Sequence, residues 1–169
     1  MIIRGRVHRV GDDVNTDYII PARYKSRTED IAALVSVLFE DLDPTLASRI
    51  RPGDLLAAGH NFGMGSSRET APRLLRAAGV GAVLARSFAR IFYRNAVNVG
   101  LPVIECETAG IADGDQVEID LERGEVRVPA RGLSVPAAPL PPLMLAILTA
   151  GGMKPYLEAQ SRQAGESHR

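Results

Sequence analysis

A glycine-rich loop between a strand-like run and a helix-like run constrains this chain more than any other feature. Residues 54–58 predict a strand and residues 73–78 predict a helix. Between them, residues 59–70 contain three glycines, two serines, an arginine and a glutamate. The free backbone N–H groups of such a loop and the helix N-terminus favour a bound anion. Arg68 indicates a carboxylate or a phosphate, because a guanidinium binds either with two parallel hydrogen bonds.

The loop matches neither of the common nucleotide-binding patterns. A P-loop has Lys before its Ser or Thr, and Gly65 stands at that place. The dinucleotide fingerprint has a third glycine where this chain has Arg68. The two nucleotide-binding patterns therefore fit this loop poorly, and the bound anion stays a carboxylate or a phosphate.

The two serines of the loop have a structural and a functional interpretation. In the structural one, Ser66 is the N-cap of a capping box with Glu69 at its third helical position. Pro72 argues against this, because it would then remove a hydrogen bond beyond the first turn. A helix that begins near Glu69 leaves Ser66, Ser67 and Arg68 facing the ligand. Adjacent positive charge and N–H donors would then stabilise a serine alkoxide.

The rest of the chain predicts an α/β fold with a βαβ core, followed by a β-hairpin and a short helix. Further strands are predicted at residues 2–9, 81–85, 102–105, 116–120 and 125–128, and further helices at 29–39, 87–98 and 143–149. Thr28 is the expected cap of the helix over 29–39. We expect one domain over residues 1–157 and a polar, frayed tail over residues 158–169.

Composition and charge exclude several classes of function. The 20 Lys and Arg balance the 20 Asp and Glu, and only eight residues are aromatic, so nucleic-acid binding is not expected. Residues 1–7 alternate like a strand, and no apolar run reaches the roughly 18 residues of a membrane span, so we expect a cytoplasmic protein with no membrane partner. A single cysteine, Cys106, excludes an internal disulfide and cannot by itself hold an iron–sulfur cluster.

Other residues outside the glycine loop are either candidate site residues or have a simpler structural role. Asp17 is either a site residue or the centre of an Asx-turn, and the basic loop over 23–28 is either a second site or a solvated loop. His60 is expected to form loop hydrogen bonds, and Cys106 is expected to be buried. The helix over 87–98 is expected to bury Phe88 and Phe92 and to expose Arg90 and Arg94.

Three segments together resemble one known family. These are residues 13–21 (DVNTDYIIP), residues 59–69 (GHNFGMGSSRE) and residues 85–95 (ARSFARIFYRN). In order and spacing they resemble the small subunits of the aconitase-like hydro-lyases, which include 3-isopropylmalate dehydratases and homoaconitases and correspond to the swivelling domain of aconitase. The resemblance covers residues 1–157 and implies a single swivelling β/β/α domain of the aconitase C-terminal type.

The resemblance also implies an activity and a partner. The family isomerises a hydroxy di- or tricarboxylate by dehydration and rehydration, with a [4Fe-4S] cluster on a large subunit as Lewis acid. This chain would bind no cofactor itself and would act in a heterodimer or heterotetramer. By similarity, Ser66 takes the proton from carbon, Ser67 hydrogen-bonds the substrate and Arg68 binds its carboxylate. Asp17 matches an acidic active-site position, and Gly65 belongs to the substrate-binding loop.

In this family, the loop after Pro21 contacts the part of the substrate that differs between members, so its residues indicate the substrate. Residues 24–30 resemble a homoaconitase-like Tyr-x-Arg-Thr-x-Asp loop with one residue inserted, so Arg27 or Lys25 takes the arginine's place. Arg27 then meets a polar distal group or turns out to solvent, because a buried unpaired charge is costly. We place 3-isopropylmalate, and with it leucine biosynthesis, before homocitrate or homoaconitate. A stand-alone carboxylate-binding regulatory module is the alternative of another class.

Overall fold

The structure, a computed structural model, describes residues 1–65 and 69–166, without the side chains of Lys25 and Glu166. Its strands are β1 Ile2–Gly11, β2 Leu55–Ala58, β3 Ala82–Ala85, β4 Val103–Glu105, β5 Gln116–Asp120, β6 Glu125–Val128 and β7 Leu133–Pro136. Its helices are α1 Thr16–Ile19, α2 Ala22–Lys25, α3 Ile31–Ser36, α4 Leu46–Arg49, α5 Thr70–Ala77, α6 Arg90–Asn98, α7 Pro142–Ala150 and α8 Met153–Glu166.

The strands form one sheet in the order β4-β3-β2-β1-β5-β6-β7. β1 to β4 pair in parallel with one another, whereas β1 with β5, β5 with β6 and β6 with β7 pair antiparallel. The long first strand joins the two halves: Val7 pairs with Leu55 of β2, and Ile3 pairs with Ile119 of β5. The predicted α/β class, the βαβ core and the hairpin of residues 116–128 are confirmed.

Alternating side chains of the parallel strands supply two separate cores. Leu56 and Ala58 of β2 belong to the core shared with the helices, whereas Leu55 and Ala57 pack in a second core with β5 to β7. Successive side chains of a strand point to opposite faces, so the parallel half is covered on both sides. This burial holds the carboxyl ends of four parallel strands in place.

The helix after the glycine loop begins where Pro72 requires. α5 starts at Thr70, with Glu69 as its N-cap residue, so Pro72 lies in the first turn. The N–H groups of a first turn have no partner within the helix, and a proline there removes no hydrogen bond. The prediction of a helix that begins near Glu69 is confirmed.

The predicted helix over residues 29–39 is wrong at both ends. α3 covers only Ile31–Ser36, and its cap is Asp30, whose Oδ1 accepts a hydrogen bond from the Ala32 N–H at 3.0 Å. Thr28 instead accepts a hydrogen bond from the N–H of Asp30 itself. The residues after α3 turn back toward α1 and are important for the loop that follows Pro21.

The C-terminal part contains two elements that the sequence pattern did not predict, β7 and α8. The predicted helix over 143–149 lies within α7, which ends at Gly151 with a φ of 91°. The division into a domain over 1–157 and a tail over 158–169 stays a prediction, although α8 extends across it. Within residues 1–65 and 69–166, no helix is long and apolar enough to cross a membrane.

Candidate active site

The three resembling segments meet at one edge of the sheet. The segment after β1, the glycine loop after β2 and the segment after β3 all leave the carboxyl ends of neighbouring parallel strands. In open α/β sheets, ligands bind outside these ends. The topology therefore makes this edge the candidate site.

Backbone hydrogen bonds join the glycine loop to the segment after β1. The donor and acceptor pairs are Gly59 N to Gly11 O, Asp13 N to His60 O, Gly63 N to Val14 O and Thr16 N to Met64 O, each at 2.8 Å. The two segments therefore run side by side as far as the N-terminus of α1. This places Gly65 beside Thr16: a Cβ on Gly65 would lie 3.1 Å from the Thr16 Oγ1.

The other side of the loop is joined to the segment after β3. Phe62 N donates to Ser87 O and Ala89 N donates to Phe62 O, both at 3.0 Å, and the Ser87 Oγ accepts from Asn61 N at 2.9 Å. These bonds explain why α6 begins at Arg90 and the prediction of a helix from Ser87 is wrong. The glycine loop thus lies between the other two segments and is bonded to both.

Two carboxylates and an amide set the turn at the start of the loop. Asp12 Oδ1 accepts from the His60 N–H at 2.7 Å, and Asn61 Nδ2 donates to Asp13 Oδ1 at 3.0 Å. Asp13 and Asn61 have φ values of 53° and 57°, which Asp and Asn tolerate better than other side chains. His60 is a loop hydrogen-bonder, as predicted.

Gly63 is required by the aromatic packing beneath the loop. Its φ is 81°, and a Cβ there would lie 2.2 Å from the Cγ of Phe92. The Phe92 ring packs edge-to-face with Phe62 at a centroid distance of 5.2 Å, and Phe88 packs against the same core. The exposure of Arg90 and Arg94 and the burial of Phe92 agree with the prediction, whereas Phe88 precedes α6 and is only partly buried.

Asp17 lies in the first turn of α1, beside the end of the glycine loop. Asn15 caps this helix by accepting a hydrogen bond from the Tyr18 N–H at 2.9 Å. Asp17 is exposed and directly follows Thr16, the residue that approaches Gly65. Asp17 is therefore one position away from the residue beside Gly65. The predicted residues Ser66, Ser67 and Arg68 lie outside the described residues.

The basic loop after Pro21 contains the short helix α2. Arg27 follows α2 and is exposed, with its N–H bonded to Tyr24 O at 3.0 Å. The side chain of Lys25 lies outside what the structure describes. The contact of Arg27 or of Lys25 with the substrate therefore stays a prediction.

Sequence reasoning missed an ion pair at the same edge. The guanidinium of Arg86 donates to Glu107 at 2.6 to 3.0 Å, and its Nη1 lies 3.5 Å from the His60 Nε2. Hydrogen bonding from Arg86 holds the pKa of Glu107 below its usual value. All three side chains line a cleft of about 400 Å³. Arg86 lies within a recognised segment, but nothing in the sequence indicates its partner.

The residues that the structure describes do not form a metal centre. No group of three or more His, Cys, Asp or Glu side chains among them is placed to hold a metal ion. Cys106 is buried as predicted, and burial raises the pKa of its thiol to about 12. The thiolate is the form that binds metals, so this cysteine is a poor cluster ligand.

Comparison with known proteins agrees with this geometry. Residues 44–109, which contain the glycine loop, match the model of the aconitase C-terminal domain. A 3-isopropylmalate dehydratase small subunit of Moorella thermoacetica is 52% identical over 159 residues, which are 93% of this chain and 95% of the relative. The isopropylmalate/citramalate isomerase small subunit of Methanocaldococcus jannaschii is 45% identical over 167 residues, 96% of this chain and 98% of the relative.

A solved structure shares the whole architecture. The crystal structure of a 3-isopropylmalate dehydratase protein from Methanocaldococcus jannaschii has a TM-score of 0.92, with 44% identity and 99% coverage of both chains. Fold and site together thus define a domain of the aconitase C-terminal type, and the predicted fold class is confirmed. Within that class, the chain belongs to the family of 3-isopropylmalate dehydratase small subunits.

Proposed function

We propose that this chain is the small subunit of a cytoplasmic hydro-lyase that converts 2-isopropylmalate to 3-isopropylmalate in leucine biosynthesis. The single observation that carries this proposal is the junction of the three segments at the carboxyl edge of the sheet. Gly65 lies beside Thr16, the residue before Asp17, and the residues that follow Gly65 in the sequence are Ser66, Ser67 and Arg68. The names of the relatives support the substrate.

In this proposal, the residues after Gly65 carry out the proton transfer. Ser66 takes a proton from the carbon next to the one that loses hydroxide, and it returns the proton during rehydration. The guanidinium of Arg68 binds a substrate carboxylate and, by its charge, lowers the cost of the Ser66 alkoxide. Ser67 donates a hydrogen bond to the substrate, and Asp17 exchanges protons at the leaving hydroxyl.

The partner is the large subunit, in a heterodimer or heterotetramer. The described side chains of this chain do not fit a cluster-binding role, because its one cysteine is buried and no group of three or more His, Cys, Asp or Glu among them is placed to hold a metal ion. We therefore assign the [4Fe-4S] cluster to the large subunit. That cluster would polarise the leaving hydroxyl, whereas the carbon base, the carboxylate-binding arginine and the proton exchange at the leaving hydroxyl belong to this chain.

A second substrate is favoured by the basic loop. The positive charges of Arg27 and Lys25 suit the additional carboxylate of homocitrate. Because Arg27 is exposed to solvent, its charge is also compatible with a substrate that has an apolar isopropyl group. The name of the Methanocaldococcus jannaschii relative adds citramalate as a candidate. The chain, reconstituted with its large subunit, should be assayed with 3-isopropylmalate, citramalate, homocitrate and citrate. We expect the highest kcat/KM with 3-isopropylmalate.

The substitution Arg27→Val tests whether Arg27 binds the distal group of the substrate. We expect kcat/KM for homocitrate to fall by roughly ten- to a hundredfold, because a charge-assisted hydrogen bond is lost. The value for 3-isopropylmalate should stay within about threefold, since an isopropyl group makes no such bond. Arg123→Val is the matched control, because Arg123 is an exposed arginine in the distant β5–β6 turn. An unchanged preference in Arg27→Val would remove Arg27 from the substrate site.

A stand-alone carboxylate-binding module is the competing function of another class. It predicts that the isolated chain binds 3-isopropylmalate, as measured by calorimetry, and that no large subunit yields turnover. The proposed function predicts the reverse, because this chain carries only part of the catalytic apparatus. Turnover by the reconstituted pair would exclude the module.

A further inference from the structure

Four side chains connect α2 to the turn that follows α3, and we call this group the loop clamp. Arg23 donates to Asp41 at 2.7 and 2.8 Å and to Glu40 at 2.6 Å. The Tyr24 hydroxyl donates to the same Glu40 oxygen at 2.7 Å. The Arg23 guanidinium also lies over the Tyr24 ring, 4.9 Å from its centroid. Two consecutive residues of α2 are thus held by two consecutive carboxylates.

The backbone that presents the two carboxylates is unusual. Phe39 is completely buried and has a φ of 60°, a left-handed conformation that a bulky side chain rarely adopts. Its N–H donates to Ile19 O at 3.0 Å, which ties the turn to α1. This conformation reverses the chain and directs Glu40 and Asp41 toward α2. Such backbone strain persists only where the surrounding structure holds it, and it often marks functional segments.

The loop clamp is charged throughout the pH range of an enzyme assay. Hydrogen bonds from Tyr24 and Arg23 hold the pKa of Glu40 below its usual value, and those from Arg23 do the same for Asp41. The same bonds raise the pKa of Arg23. Lowered carboxyl pKa values keep both partners ionised at neutral and mildly acidic pH. Changes in pH across that range therefore leave the clamp closed.

We propose that Glu40 and Tyr24 are positioning residues for substrate selection, because the loop clamp fixes α2 and thereby the position of Arg27, which follows it. The hydrogen bond from Arg27 N to Tyr24 O transmits this position to Arg27. The inference rests on the proposed function, in which residues 22–28 read the distal group of the substrate. Glu40 and Tyr24 themselves do not contact substrate in this proposal.

The test uses the reconstituted pair with Glu40→Gln, Tyr24→Phe and the double variant. We expect each single variant to change the ratio of kcat/KM for homocitrate and 3-isopropylmalate by roughly three- to fivefold, on the scale of one exposed polar pair. The change should lie in KM, with kcat within about twofold. The double variant should lose less than the product of the two single effects, because both substitutions weaken the shared Tyr24–Glu40 hydrogen bond.

Arg4→Gln is the matched control, since it removes an exposed ion pair of the same kind, Arg4 to Glu118 at 2.6 Å, on the sheet. Hydrogen exchange of the Tyr24 and Arg27 amides gives a second readout. Exchange should accelerate in Glu40→Gln and stay unchanged in Arg4→Gln. Faster exchange with an unchanged substrate ratio would overturn the inference and leave the proposed function intact. An inactive wild-type pair would overturn both.

Discussion

Replacement of Ser66 by alanine is expected to lower kcat of the reconstituted pair by roughly 10²- to 10⁴-fold, the usual contribution of a positioned general base. The KM for 3-isopropylmalate should change much less, because Arg68 and Ser67 still bind the substrate. The expectation follows from the position of Gly65, which lies beside Thr16 and directly precedes Ser66 in the sequence. Steady-state kinetics over a range of substrate concentrations separates the two parameters.

Two control variants make the Ser66→Ala result interpretable. Ser48→Ala removes an exposed hydroxyl that donates only within its own short helix, to Thr45 O, and should leave kcat unchanged. Ser67→Ala should raise KM more than it lowers kcat, since its hydroxyl is assigned to binding. Each variant must still form the complex, as checked by gel filtration. Full turnover by an assembled Ser66→Ala pair would show that the base is another group.

The largest effect on stability is expected for Gly63→Ala. A methyl group there would overlap the Phe92 ring, at 2.2 Å from its Cγ, and the φ of 81° disfavours any side chain. We expect the free energy of unfolding to fall by about 2–4 kcal/mol, the sum of overpacking and backbone strain. For a chain of this size, the melting temperature should fall by roughly 5–15 °C.

Gly132→Ala separates the two contributions. Gly132 also has a positive φ, 61°, but an added Cβ would meet no atom within 4 Å. This control should therefore lose only the backbone contribution, about 1 kcal/mol. Thermal unfolding of both variants in the same buffer measures the difference. Equal losses in the two variants would contradict the close contact between the glycine loop and Phe92.

Local pattern was sufficient to predict the part of the fold that surrounds the site. Pro72 alone placed the start of α5, because a proline is compatible only with the first turn. The prediction of a helix from Ser87 failed because the Ser87 side chain and carbonyl bond the glycine loop. No sequence pattern reports such a tertiary bond. The C-terminal misses have another cause: β7 ends in Pro136, and α8 is mostly polar, with Met153 and Tyr156 packed against the core near its start.

In the candidate site, too, the local sequence pattern predicted some residues, and long-range contacts between other residues were missed. Asp17 and Gly65 belong to the recognised segments, and the structure places Gly65 beside Thr16, the residue before Asp17. The ion pair of Arg86 with Glu107 joins residues 21 positions apart on different loops, so only the sheet topology shows it. The loop clamp is a comparable case, because its carboxylates depend on the left-handed backbone of Phe39. Long-range charge pairs were the least predictable part of this edge.

A titration of the purified large subunit with this chain tests the central claim most directly. The claim is that this chain supplies the carbon base and the carboxylate-binding half of an active site that the large subunit completes. Turnover of 3-isopropylmalate should be absent for either protein alone, rise linearly with added chain and saturate at one chain per large subunit. Turnover by the large subunit alone at the rate of the mixture, or a mixture with no turnover, would contradict the account.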